Sequence, residues 1–98
     1  MDSLLKWLER WYRSKCDGEW EHGSGVRIDT LDNPGWSVFV DVGPAVDGTL
    51  VDVDRNSGDW VYCEVKDNRF CGYGGPGNLV DILTAFRAWV EASEQSGK

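Results

Sequence analysis

The feature that most constrains the fold of this chain is a run of short β-type segments, which recur about every ten residues between turn signals. Residues 26–31 largely alternate between apolar and polar side chains, with the period of a half-buried strand. The Asp-Asn-Pro-Gly sequence at 32–35 predicts a turn, because proline presets φ and glycine accepts a positive φ. Further strands are predicted at 36–42, 49–54, 60–65 and 70–73. The tight turns indicate antiparallel pairing, since parallel strands need long crossovers.

Amphipathic patterns of helical period flank these strands on both sides. Asp2 or Ser3 can cap the first helix, and Asn78 can cap the last one. The apolar positions are Leu4, Leu5, Trp7, Leu8, Trp11 and Tyr12 in the first helix and Leu79, Ile82, Leu83, Phe86, Trp89 and Val90 in the last. We therefore predict an α+β fold, in which an antiparallel β-meander of about five strands is flanked by an N-terminal and a C-terminal α-helix.

The length of the chain predicts one domain over residues 1–98, because 98 residues leave no room for a second core. If both helices cover the same face of the sheet, the other face stays available for a partner. The six tryptophans can supply much of the core or act as binding anchors, and the sequence leaves open which of them are buried.

The formal net charge of −7 narrows the classes of partner. Nucleic-acid binding normally needs a basic patch that neutralises phosphates, and an anionic membrane surface would repel this chain. We therefore predict neither a nucleic-acid nor a membrane partner. An acidic surface favours solubility and can attract a basic protein partner.

The three cysteines, Cys16, Cys63 and Cys71, are odd in number and so do not make a closed disulfide framework. The sequence has neither the order of a secretory signal nor an apolar run that could span a membrane, so we predict a cytoplasmic protein with reduced thiols. Together with His22 the cysteines equal the ligand number of a structural zinc, but Cys-x-x-Cys spacing is missing. No metal and no cofactor are predicted.

An enzymatic alternative would depend on His22, the only histidine, as a general base beside Glu19 or Glu21. The stretch at 20–22 is predicted to be extended. Adjacent residues of a strand point to opposite faces, so Glu21 would not reach the His22 ring there. No nucleophile motif accompanies the histidine, and we predict no catalytic residues.

A protein-binding interpretation has more support, because acidic and aromatic residues crowd into the turns and strand ends before residue 37. Acidic groups around aromatic anchors suit a basic protein partner. The predicted partner-binding residues are Asp17, Glu19, Trp20, Glu21, His22, Asp29, Asp32, Asn33 and Trp36. Structural roles compete with this interpretation: Asp32 and Asn33 can stabilise the turn, and both tryptophans can fill the core.

The same residues also carry a family resemblance. The motifs are Trp7-Leu8-x-x-Trp11-Tyr12, then Cys16-Asp17-Gly18-Glu19-Trp20-Glu21-His22, then Gly25-Val26-x-Ile28-Asp29-Thr30-Leu31-Asp32-Asn33-Pro34-Gly35-Trp36, and later Trp60, Phe70, Gly72-x-Gly74 and Leu79, Leu83, Phe86 and Trp89. In this pattern the chain resembles, over nearly its whole length, the immunity protein 53 family of bacterial polymorphic toxin systems.

The resemblance implies a small cytoplasmic antidote that binds and neutralises a cognate toxin domain, and it does not imply an enzyme. Because the family is known chiefly from gene neighbourhoods, it supplies no catalytic residues to transfer. We predict stoichiometric occlusion of a basic toxin, and a nuclease toxin would suit the negative charge. The alternatives that stay open are a small hydrolase or transferase that uses His22, and an oligomerisation module with exposed edge strands. The oligomeric state is left open.

Overall fold

A computed structural model describes residues 3–96, apart from the side chains of residues 95 and 96. Its long helices and its strands follow one another in the predicted order, and one further helical turn precedes the first strand. The helices are α1 (Leu4–Lys15), the single turn α2 (Trp20–Gly23) and α3 (Leu79–Ser96). The strands are β1 (Val26–Leu31), β2 (Gly35–Asp41), β3 (Gly48–Asn56), β4 (Asp59–Lys66) and β5 (Arg69–Gly74). An α+β fold with one antiparallel sheet and terminal helices is confirmed.

The strands form a single five-stranded sheet in the order β1-β2-β5-β4-β3, and every neighbouring pair is antiparallel. A β1–β2 hairpin and a β3–β4–β5 meander are therefore joined where β2 pairs with β5. This order differs from that of a simple meander, in which β3 would lie beside β2. The difference has a physical reason: the largely buried strands β2 and β5 occupy the centre, whereas β3, which is mostly exposed, lies at an edge.

Both long helices lie on one face of the sheet. The α1 helix begins where the Ser3 hydroxyl accepts a hydrogen bond from the Lys6 amide at 3.1 Å, as predicted, while Asp2 lies outside the described residues. The α3 helix packs on the sheet and α1 packs on α3. No helix within residues 3–96 is both long and apolar enough to cross a membrane.

The core between helices and sheet is built around Phe86 of α3, which is fully buried. Its ring meets Trp11 at 4.9 Å, Phe70 at 5.0 Å and Trp7 at 5.7 Å, all edge to face. Edge-to-face contacts add to the burial energy of aromatic rings because the positive ring edge meets a negative face. The sequence alone does not decide which tryptophans are buried. In the structure Trp11 is buried, and the half-buried ones are Trp7, Trp20, Trp36, Trp60 and Trp89.

Glycines on β5 allow α3 to approach the sheet closely. A Cβ atom added at Gly72 would overlap the Ile82 side chain, and one added at Gly74 would lie 3.1 Å from both Asn78 and Ile82. Any side chain at these positions would push α3 outward. The glycines also identify the face of β5 that meets the helix, so Cys71 and Tyr73 point to the opposite face.

Candidate functional site

The predicted contact segment at 17–22 forms a hydrogen-bonded helical turn, so the prediction that residues 20–22 are extended is wrong. The Asp17 carboxylate accepts from the amides of Glu19 and Trp20, both at 2.9 Å. The Glu21 carboxylate accepts in return from the amides of Asp17 and Gly18, at 3.0 and 2.9 Å. The bonds to Asp17 satisfy amides at the start of α2, and those from the Trp20 and Glu19 amides lower the pKa of Asp17. The bonds to Glu21 fix the two residues before Glu19.

The two predicted tryptophan anchors are both held in place by the protein itself. Trp20 packs edge to face on Trp11, with ring centroids 6.1 Å apart, and also on Tyr12 at 5.8 Å. The Trp36 indole Nε1 donates to the Pro76 carbonyl at 2.9 Å, and its ring packs against the core. The competing structural roles proposed for these residues are therefore present, although part of each ring remains accessible.

His22 is exposed and borders a cavity of about 280 Å³, which Glu21, Ser24, Arg27 and Asp41 also line. Its carboxylate neighbour Glu21 is directed to the amides described above, and Asp41 accepts from the Gly25 amide at 2.9 Å. The cavity therefore brings the histidine near acidic groups that already accept hydrogen bonds from the backbone.

The remaining predicted contacts, Asp29, Asp32 and Asn33, are exposed on β1 and the following turn. His22 precedes β1 and Asp32 follows it, so these residues lie beyond opposite ends of that strand. A strand of this length spans about 17 Å. The structure thus separates the predicted contacts into a group before β1 and a group at its far end.

The cysteines do not converge. Cys63 lies opposite Gly72 and faces the helices, whereas Cys71 lies opposite Glu64 on the other face. Burial raises the pKa of the Cys63 thiol to about 12, which makes it a poor metal ligand and a poor nucleophile. Across residues 3–96, no group of at least three histidine, cysteine, aspartate or glutamate residues is placed to hold a metal ion.

The face of the sheet that points away from the helices carries a feature that the contact prediction missed. We call this surface, made by the outward residues of all the strands, the open face. Its middle row runs straight across the sheet through paired residues: Asp29, Ser37, Tyr73, Tyr62 and Asp52. The next rows hold Phe39 with Glu64, and Trp60 with Asp54. The alternation along β2, β4 and β5 is the signal that could have assigned these side chains to one face.

The aromatic residues of the open face contact one another. Tyr73 stacks on Tyr62, with ring centroids 6.5 Å apart, and meets Phe39 edge to face at 5.7 Å. The Tyr62 hydroxyl donates to the Glu64 carboxylate at 3.1 Å. Burial raises the pKa of Tyr73, and the nearby Cys71, Glu64 and Tyr62 raise it further. Tyr73 therefore stays neutral near pH 7, and the three rings form a fixed aromatic cluster beside a carboxylate.

The part of the chain that matches a known protein family spans nearly the whole fold. Immunity protein 53 is the family that matches, over residues 5–91, a region that includes the whole sheet and most of α1 and α3. No curated protein and no solved structure matches the chain. Because the match covers nearly the whole chain, the protein belongs to the immunity protein 53 family.

Proposed function

We propose that this immunity protein binds a cognate toxin domain and neutralises it by stoichiometric occlusion. The observation that carries the proposal is the family match over residues 5–91. Occlusion needs a folded surface rather than a catalytic group, and a rigid sheet with one face free of helices supplies such a surface. Once bound, the chain covers the active site or the substrate groove of the toxin.

The charge of the chain supports a basic toxin as the partner. A formal net charge of −7 on 98 residues attracts a basic surface over a distance of about 10 Å at moderate salt. A nuclease toxin fits this description, because its phosphate-binding groove must be positively charged. In the proposed complex, acidic side chains occupy the position that the phosphates of the nucleic acid would take.

The predicted contacts contribute unequally to this proposal. Glu19, His22, Asp29, Asp32 and Asn33 are exposed and remain proposed contacts. Asp17, Trp20, Glu21 and Trp36 make bonds or packing contacts within the chain, so substituting them would change the fold and the binding together. Substitutions that test contacts with the toxin should therefore begin with the exposed residues.

The proposal is tested with toxin domains encoded in the bacterium that carries this gene, each mixed with the purified chain. We expect a one-to-one complex by light scattering and complete loss of toxin activity at one molar equivalent. The association rate should fall at least about tenfold between low and high salt, because the attraction is screened. Failure to form a complex would contradict the proposal. Inactivation of a molar excess of toxin would favour the enzymatic alternative that uses His22.

The nuclease assignment has its own test. The isolated toxin domain is incubated with plasmid DNA and with total RNA, and cleavage is followed on gels. Cleavage that one equivalent of this chain abolishes supports the assignment. A toxin domain that kills cells but cleaves neither nucleic acid contradicts the nuclease assignment and leaves occlusion to be judged by the binding assay.

A further inference from the structure

The open face is a surface that spans all five strands and that neither long helix covers. Both long helices pack on the opposite side, where Phe70 meets Phe86 and Gly72 faces Ile82. The aromatic side chains Phe39, Tyr62 and Tyr73 are nevertheless only half-buried by one another. An uncovered sheet face with central aromatic residues is the arrangement typical of a protein-binding surface.

The aromatic cluster is preorganised, which suits it to be the centre of an interface. Tyr73 lies between Phe39 and Tyr62 and contacts both, and the Tyr62 hydroxyl is tied to Glu64. Because these contacts already fix the rings, binding costs little further side-chain entropy. Tyrosine and tryptophan are also the residues most often found at interface hot spots.

The charges of the open face determine what kind of surface can cover it. Asp29 lies at one edge of the tyrosine row and Asp52 at the other, and Glu64 lies beside Cys71 in the neighbouring row. Asp54 adds a further acid opposite Trp60. The basic residues of this face are Arg27, Lys66 and Arg69. Lys66 and Arg69 lie in the end row that carries Asp41, where Arg69 pairs with Asp41, and Arg27 lies at the β1 edge of the row that holds Phe39 and Glu64.

We propose that the open face receives a basic surface of the toxin, in which an arginine or lysine pairs with Glu64 while its stem packs on Tyr62 and Tyr73. This inference rests on the proposed function and assigns its contact surface. Asp29, Asp52 and Asp54 flank the pair and attract further cations. A second copy of the chain is disfavoured as the occupant, because the acidic rows of the two copies would repel each other.

The first test is a matched pair of charge reversals, assayed with a toxin domain that the wild-type chain binds. Glu64→Lys alters the open face, and Glu9→Lys makes the same change on α1, where Glu9 is exposed and bonded to Lys6. Glu64→Lys should weaken binding about 30-fold or more, because the toxin cation then faces a like charge. Glu9→Lys should change it less than about threefold. If Glu64→Lys unfolds the chain, Glu64→Gln replaces it in the binding assay, because glutamine removes the charge and keeps an acceptor for the Tyr62 hydroxyl.

The second test compares the three tyrosines within one sample. Hydroxyl-radical footprinting with mass spectrometry measures how far the toxin protects Tyr62 and Tyr73 on the open face and Tyr12 on α1. We expect protection of Tyr62 and Tyr73, while Tyr12, which is 40% exposed and contacts Trp20, stays unchanged. Protection of Tyr12 alone would place the interface at the segment around Trp20 and overturn the inference.

The outcomes separate the inference from the function on which it rests. A wild-type chain that binds no toxin domain overturns both. A wild-type chain that binds, with Glu64 and Glu9 variants that bind equally well, overturns the inference and leaves the proposed function standing. A wild-type dimer that Glu64→Lys dissociates assigns the open face to a second copy and also overturns the inference.

Discussion

Replacing Gly72 with alanine should destabilise the protein through the contact between β5 and α3. The added Cβ would overlap Cγ2 of Ile82 and lie 3.0 Å from the Phe70 ring. Gly72 is paired on both sides, with Val38 of β2 and Cys63 of β4, so the strand has little freedom to move away. Inserting a methyl group into such a packed site costs about 1–3 kcal/mol.

The alanine also has a favourable effect, which must be subtracted. The φ of Gly72 is not in the left-handed region, so alanine fits the backbone and reduces the entropy of the unfolded chain, a gain of about 0.4–1 kcal/mol. Taking the middle of each range, the net loss in the free energy of unfolding is about 1.3 kcal/mol. In a domain of this size each kcal/mol lowers Tm by about 4–8 °C, so Tm should fall by about 5–10 °C.

Gly48→Ala is the matched control, because no atom lies within 4 Å of a Cβ at this strand position. Thermal unfolding followed by circular dichroism should show Gly48→Ala at or slightly above the wild-type Tm. A second check combines Gly72→Ala with Ile82→Ala, which removes the overlapped atom. The double substitution should cost less than the sum of the single ones. Equal Tm values for Gly72→Ala and Gly48→Ala would refute the reasoning.

Other features yield further predictions. Hydrogen bonds from Arg55 and Asn78 lower the pKa of Asp59 to about 2, below the ordinary value of 3.8. The stability that this carboxylate contributes is therefore complete above pH 4 and lost as the pH falls toward 2, and acid titrations of unfolding should show a smaller loss for Asp59→Asn. Iodoacetamide at pH 8 should modify the half-buried Cys16 well before the buried Cys63, whose thiol has a pKa of about 12, as peptide mass spectrometry would detect. His22→Ala removes one proposed contact and should weaken toxin binding at most modestly, while an excess of the variant should still neutralise the toxin completely; a loss of neutralisation without a loss of binding would support the enzymatic alternative.

The helices and strands could be predicted from sequence because each carries a strong local signal. The alternation in β1, the Asp-Asn-Pro-Gly turn and the apolar period of α3 are all read within one segment. The short turn α2 has no such local signal, because it depends on hydrogen bonds that the Asp17 and Glu21 carboxylates accept from nearby backbone amides. A segment as short as Trp20–Gly23 has no helical period from which these hydrogen bonds could be predicted.

The strand order and the open face depend on longer-range information. Local patterns predict a strand at β5 but do not say whether it pairs with β2 or lies at an edge. That choice depends on total burial, which favours Phe70 and Gly72 in the centre under α3. The predicted contacts all precede residue 37 for the same reason. Tyr62 and Tyr73 become neighbours only because β4 pairs with β5, and local patterns do not show that pairing.

The two faces of β5 have opposite roles, and the sequence of this strand serves both. On one face Gly72 and Gly74 remove side chains, so that Ile82 and the rest of α3 pack directly on the backbone. On the other face Cys71 and Tyr73 keep theirs, and Tyr73 links Phe39 to Tyr62. Close helix packing on the first face holds the strand rigid, and the rigid strand fixes the aromatic cluster on the second. Loosening the α3 contact should therefore weaken toxin binding through the open face, although no residue of α3 would touch the toxin.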